Sequence, residues 1–163
     1  MFSPKTKLYL DNVIAHLLVI LMALMVLNVT WQVLSRYVFQ NPSSFTDELS
    51  RYMLIWVGML GSAYVAGKNE HLAIDILLTK VGKKTQDKLM IIICICILAF
   101  ALVVMVIGGL NLVYLTFILD QKSATLQVPM AIIYGIIPFS GFLVIYYQLV
   151  SLNFLFKTVK SAI

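Results

Sequence analysis

Metal, redox or general acid–base chemistry in this 163-residue chain would have to come from two histidines, two cysteines and seven acidic residues. His71 and Asp75 stand at i, i+4 with Glu70 adjacent, so on one helical face they could share a metal ion. A closed site needs more ligands than that, and an orienting hydrogen bond at a helix start is the role the spacing predicts. His16 and His71 both fall near helix ends, where they cannot clamp a haem at mid-membrane depth. Cys94 and Cys96, two residues apart in an apolar run, point to opposite sides of a helix and read as small buried residues. No serine or cysteine sits in a nucleophile elbow, so nothing here indicates an enzyme.

The sharpest constellation is different in kind. At 100° per residue, Glu48, Arg51, Ile55, Gly58, Ser62 and Ala66 fall within an arc of about 80° on one helix. Gly58, Ser62 and Ala66 make a seam of small residues that lets another helix approach closely in lipid. Above it lie a carboxylate and a guanidinium. The preceding helix offers Asn28, Gln32 and Arg36 at successive i+4 steps, with Ser35 beside them. Arg36, Glu48 and Arg51 read either as an ion cluster pinning two helices, or a partner, together, or as exposed charges at a helix start. Asp47 follows Ser44 in S/T-x-x-D capping order. Trp31 and Trp56 read as interfacial anchors or packing residues.

The elements that must position these residues follow from composition. The chain is 61% hydrophobic and only 12% charged. A soluble domain carries about twice that charge, so a water-soluble fold, disorder and a nucleic-acid partner are all excluded despite the net charge of +5. Asn12–Ser35 is free of Asp, Glu, Lys and Arg, is longer than a signal-peptide core, and reads as a retained first span. Tyr52–Gly67 is a second charge-free run, completed by a helix start near Phe45 after Pro42. Leu89–Leu119 has 31 charge-free residues, about 46 Å as a helix, so it must tilt, protrude or bend near Gly108–Gly109. In Ser123–Phe156, Pro129 suits a helix start and Pro138 a kink.

The expected fold is thus an all-α membrane protein, a single unit with four transmembrane helices over about 12–36, 45–67, 89–119 and 129–156. Nine of the twelve Lys and Arg fall in the termini and the second connection, and three in the other two. Both termini are therefore expected in the cytoplasm. Ile74, Leu77, Leu78 and Val81 repeat at helical spacing beside lysines, predicting a short amphipathic helix over about 71–82, lying in the cytoplasmic interface against anionic phospholipid headgroups.

All four runs lack ionisable acids and bases, the groups a pump or exchanger ordinarily places at membrane depth. Sodium can also be held by carbonyls at broken helices, so this pattern weighs against autonomous transport without excluding it. A self-sufficient small multidrug exporter, the main alternative, wants an embedded acid. A quinone-linked redox subunit wants paired histidines or a dithiol.

Residues Ser35-Arg36-Tyr37-Val38-Phe39, Pro42, Phe45-Thr46-Asp47-Glu48-Leu49-Ser50-Arg51, Trp56, Gly61-Ser62-Ala63, Gly67 and His71-Leu72-Ala73-Ile74-Asp75 together resemble the small membrane subunit of tripartite ATP-independent periplasmic (TRAP) transporters. The match covers about 40 residues in order and spacing. Phe45 stands where the family often has Trp, and Asp47-Glu48 where it often has a Glu pair. The resemblance implies a scaffold subunit supporting a large membrane transport subunit, which itself uses sodium and receives an organic acid from a periplasmic substrate-binding protein. Sialic acid and C4-dicarboxylates are the cargoes it suggests. It implies no cofactor for this chain. It also maps Arg36, Asp47, Glu48, Arg51, His71 and Asp75 onto the family signature, the first four toward architecture and docking.

Overall fold

The computed structural model describes residues 4–41, 43–68 and 83–161. The described chain is helical, with one isolated antiparallel bridge between Lys122 and Pro129. Helix α1 covers Pro4–Tyr37 and α2 covers Ser44–Lys68. Helix α3, Lys83–Phe100, continues through a π-helical segment, Ala101–Gly108, into α4, Gly109–Ile118. A short α5, Met130–Tyr134, leads into α6, Ile136–Ser161. The predicted interfacial helix over 71–82, with His71 and Asp75, lies outside the described residues, as does Pro42.

Among the described residues, three stretches are long and apolar enough to cross a membrane: Lys7–Tyr37, Leu89–Ile118 and Met130–Asn153. Helix α2, with 25 residues, is about 37 Å long, but its glycines, Ser62 and tyrosines dilute its apolar character. Pro4 opens α1, where its missing N–H costs nothing.

Two breaks in regularity have local causes. Along the third apolar stretch the buried positions Ala101, Met105 and Gly109 recur every four residues. An α-helix would rotate such a series by 40° at each step, away from its neighbour. The wider i→i+5 turn of the π segment cancels that drift and keeps all three facing α6. At Gly108–Gly109, where a bend is one of three ways to accommodate the length, both glycines keep right-handed helical angles and the helix runs on unbroken. The kink expected at Pro138 appears instead as the α5–α6 break at Gly135. A proline ring clashes with the carbonyl four residues earlier, here Tyr134, so one continuous helix cannot pass through.

The long rods stand in a row. Helix α1 packs on α2, α2 on α6, and α6 on α3 and the π segment, with α5 against α4. This differs from a closed four-helix ring, in which every helix faces a shared interior. The core is a narrow seam between α2, the π segment and α6, formed by Ala63, Ala66, Ala101, Met105 and Val144. Small side chains let the backbones approach so closely that a Cβ on Gly141 would stand 2.8 Å from Met105 Cβ. At one end of the row Gly67 lies flat against the Tyr147 ring, whose hydroxyl donates to Asp11 Oδ1 at 2.6 Å.

Candidate functional site

The polar residues picked out by spacing gather at the opposite end, where α1 turns into α2 over Val38–Ser43. Gln40 adopts φ 51° in this turn, and the Asn41 N–H donates to Ser35 O at 3.1 Å. Ser35 is buried and its hydroxyl donates back to Gln32 O. Asn28 Nδ2 donates to Thr46 O at 2.8 Å and to Ser50 Oγ at 2.7 Å, and Gln32 Nε2 donates to Asp47 Oδ1 at 2.7 Å. The i+4 polar edge of α1 therefore zips onto the first two turns of α2. These turns lie outside the charge-free stretch Tyr52–Gly67.

Arg36, Glu48 and Arg51, read from the sequence either as an ion cluster or as exposed charges at a helix start, border one cleft but take different partners. Arg51 pairs with Asp47, one turn back on α2, and both side chains keep substantial solvent contact. The Gln32 amide and then the Arg51 guanidinium hold the Asp47 carboxyl below its ordinary pKa. This arrangement replaces the Ser44–Asp47 capping box, and Ser43 O instead receives the Thr46 hydroxyl at 2.9 Å. Arg36, in the last turn of α1, has no carboxylate within ion-pair distance among the described residues. It lies with Arg51, Asp47, Glu48 and Thr125 around a cleft of about 270 Å³.

Glu48 reaches a different element, the loop joining α4 to α5. Its Oε2 accepts the Thr125 and Leu126 N–H groups at 2.9 and 3.0 Å. Its Oε1 accepts the Ala124 N–H at 3.1 Å and the Tyr52 hydroxyl at 2.8 Å. The Ser123 hydroxyl is the strongest of the donors that draw its pKa down from 4.5 to about 2, with the loop N–H groups adding to it. The loop it grips is tightly turned. Asp120 and Gln127 both have positive φ, Ser123 N–H donates to Val128 O, and Met130 N–H donates to Gln121 O. A single carboxylate thus satisfies three successive backbone donors that would otherwise need water.

Trp56 continues the same attachment, its Nε1 donating to Ile133 O at 3.2 Å beside the α5–α6 break. Gly58 and Ser62, by contrast, face away from the row. Both are exposed, nothing lies within 4 Å of a Cβ built on Gly58, and the Ser62 hydroxyl folds back onto Met59 O. The buried small residues of α2 are Ala63, Ala66 and Gly67. Of the predicted seam, Ala66 packs inside the chain, while Gly58 and Ser62 present an open face flanked by exposed Leu54 and Val65.

Sequence reasoning missed the Ser123–Leu126 donor loop and the Asp11–Tyr147 bond. The loop's contribution is backbone N–H groups, which carry no residue-type signal. The second joins side chains 136 positions apart. Among the described residues no three His, Cys, Asp or Glu side chains converge as a metal would require. Cys94 is buried and Cys96 exposed, on separate faces.

Apolar helices in a row, with most of their polar contacts gathered near their ends, define a helical integral-membrane protein. The family model of the DctQ component of tripartite ATP-independent periplasmic transporters matches residues 25–158, and the chain belongs to that family. The family is a transport component and not an enzyme, and the protein is a multi-pass protein of the bacterial inner membrane. Two putative TRAP transporter small permease proteins of Haemophilus influenzae are 30% identical over 55% of this chain and 28% identical over 74% of it. The aligned regions span 60% and 72% of those relatives. The sialic acid TRAP transporter small permease protein SiaQ of Vibrio cholerae is 25% identical over 61% of this chain and 57% of its own length.

Proposed function

We propose that the chain is the scaffold subunit of a sodium-coupled, binding-protein-dependent organic-acid importer, clamped alongside a large membrane subunit that carries the transport machinery. In this reading α1, α2, the α3–π–α4 rod and α5–α6 are four spans with both termini in the cytoplasm. The α1–α2 turn and the 119–129 loop then lie on the periplasmic face, within reach of a substrate-binding protein.

The observation that carries the reading is the open row. A closed bundle shields its own interior, whereas a row leaves two broad faces, and one carries the uncovered Leu54–Gly58–Ser62–Val65 stripe of α2. In lipid such a stripe gains its packing from another helix. Asp47, Glu48 and Arg51 keep α2 in register for that contact, with Arg36 at the turn beside them, and His71 and Asp75 orient the connection that follows α2. Sialic acid is the cargo suggested by the name of the Vibrio cholerae relative; a C4-dicarboxylate is the other class.

The test is reconstitution. Liposomes holding this chain alone should show no uptake of labelled sialic acid or succinate under a sodium gradient. Liposomes that also hold the large subunit and are given the binding protein should accumulate one of them. Glu48→Lys, which sets a cation against three N–H donors, should abolish assembly of the complex. Uptake by the chain alone, or full activity of Glu48→Lys, overturns the proposal.

A further inference from the structure

We propose that the cleft at the α1–α2 turn binds the phosphate of a phospholipid headgroup, held by the Arg36 guanidinium and the Ser43 and Ser44 hydroxyls. The two carboxylates in the cleft are already engaged. Asp47 is held by Gln32 and Arg51, and Glu48 by Tyr52 and the loop N–H groups. Arg36 makes no ion pair among the described residues and feels Asp47 only at longer range, so it is the group left to engage an anion. Guanidinium and phosphate match in geometry, two parallel N–H donors against two oxygens. Ser43 and Ser44 line the same space, whose volume of about 270 Å³ suits a headgroup and not a large solute.

The rim decides the source of the phosphate. Tyr37, Val38, Phe39 and Phe45 flank the cleft in sequence and are all exposed, with Trp31 set against the Phe39 ring at 6.1 Å. Aromatic and apolar side chains exposed at the end of a spanning helix belong at the headgroup level of a bilayer. A cleft meant for an acidic protein segment arriving through water would be rimmed by polar side chains. The inference concerns a lipid site and stands independently of the partner subunit proposed above.

The full chain, assembled in nanodiscs of dioleoylphosphatidylglycerol and extracted into mild detergent, should retain one tightly held phospholipid by native mass spectrometry. Arg36→Gln should lower its occupancy about tenfold, the loss expected for one charge-assisted contact. Arg36→Lys should fall between, and Lys122→Gln should match the wild type. Dioleoylglycerol, with the same tails and no phosphate, should not be retained. Equal occupancy in wild type and Arg36→Gln, or retention of dioleoylglycerol, overturns the proposal. So does displacement of the lipid by millimolar inorganic phosphate, which makes this a soluble-anion site, or by a polyglutamate peptide, which makes it a protein-docking site. If Arg36→Gln does not fold, the dioleoylglycerol and competition arms on the wild type decide alone.

Discussion

The middle of the row and its turn end solve the same problem, joining helices, by opposite means. In the middle, Ala63, Ala66, Ala101, Gly141 and Val144 bring α2, the π segment and α6 together by removing side-chain bulk. At the turn end, Asn28, Gln32, Asp47, Glu48 and Ser50 bring α1, α2 and the 119–129 loop together by exchanging hydrogen bonds. Lipid tails are as apolar as leucine, so the middle gains stability from close packing and not from expelling water. Near the interface, water competes for every polar group, and a contact there persists only if several donors converge on one acceptor, as they do on Glu48. The difference teaches where each device belongs. Bulk is the sensitive variable at mid-depth, charge and donor count at the ends.

The largest effect should come from restoring bulk in the middle. Gly141→Leu places atoms where Met105 Cβ and Val106 Cγ2 already stand, 2.8 and 3.0 Å from a Cβ alone. Neither neighbour can retreat without opening the π segment, so a loss of about 3 kcal/mol is expected, at the top of the usual overpacking range. Thermal unfolding in detergent, followed by circular dichroism, measures it. A midpoint unchanged from wild type would mean that the seam is looser than its geometry indicates.

At the turn end the expected effect is smaller and local. Glu48→Gln keeps an acceptor oxygen but removes the charge from three backbone donors. Amide exchange at Ala124, Thr125 and Leu126 should accelerate about tenfold while the mid-row helices keep their protection. Acid should reproduce this. The Glu48 pKa is depressed in the folded chain to about 2, so its contribution is complete above the ordinary value of 4.5. It declines as pH falls through the window between the two. Loop exchange, corrected for intrinsic rates, should therefore rise below about pH 4.5 in the wild type and stay flat in Glu48→Gln. Identical profiles in the two would remove Glu48 from the role of anchor.

The two regions also differed in how far the sequence revealed them. Helical periodicity and charge-free runs located the long helices, because apolar length is a property of the chain itself. The i+4 ladder of Asn28 and Gln32 was legible because both of its rails are helices of known period. Arg51 and Glu48 were legible as a pair of charges but not in their partners. The i+4 carboxylate Asp47 took Arg51, and Glu48 took backbone groups from a loop 76 to 78 residues away, whose N–H donors any sequence would supply. The π segment left a trace only in the four-residue recurrence of Ala101, Met105 and Gly109. That recurrence acquires meaning once α6 is known to lie alongside. The seam on α2 was read as one face. It divides because an i+4 series drifts 40° around the helix at each step, which buries Ala66 and leaves Gly58 and Ser62 outside.

That division yields the finest test of the comparison, since Gly58 and Gly141 are both helical glycines with opposite surroundings. Gly58→Ala adds a methyl group to open space, with nothing within 4 Å of it. In the isolated chain it should be neutral or raise stability by up to about 1 kcal/mol, because alanine loses less backbone freedom in a helix than glycine does. Against a partner helix the same methyl group holds two backbones apart, so affinity for the large subunit should fall even as the isolated chain grows more stable. Unfolding of the chain alone and co-purification of the pair measure the two quantities separately. A stability loss in the isolated chain would show that the face is covered from within. Unchanged co-purification would show that the partner approaches by another face of the row.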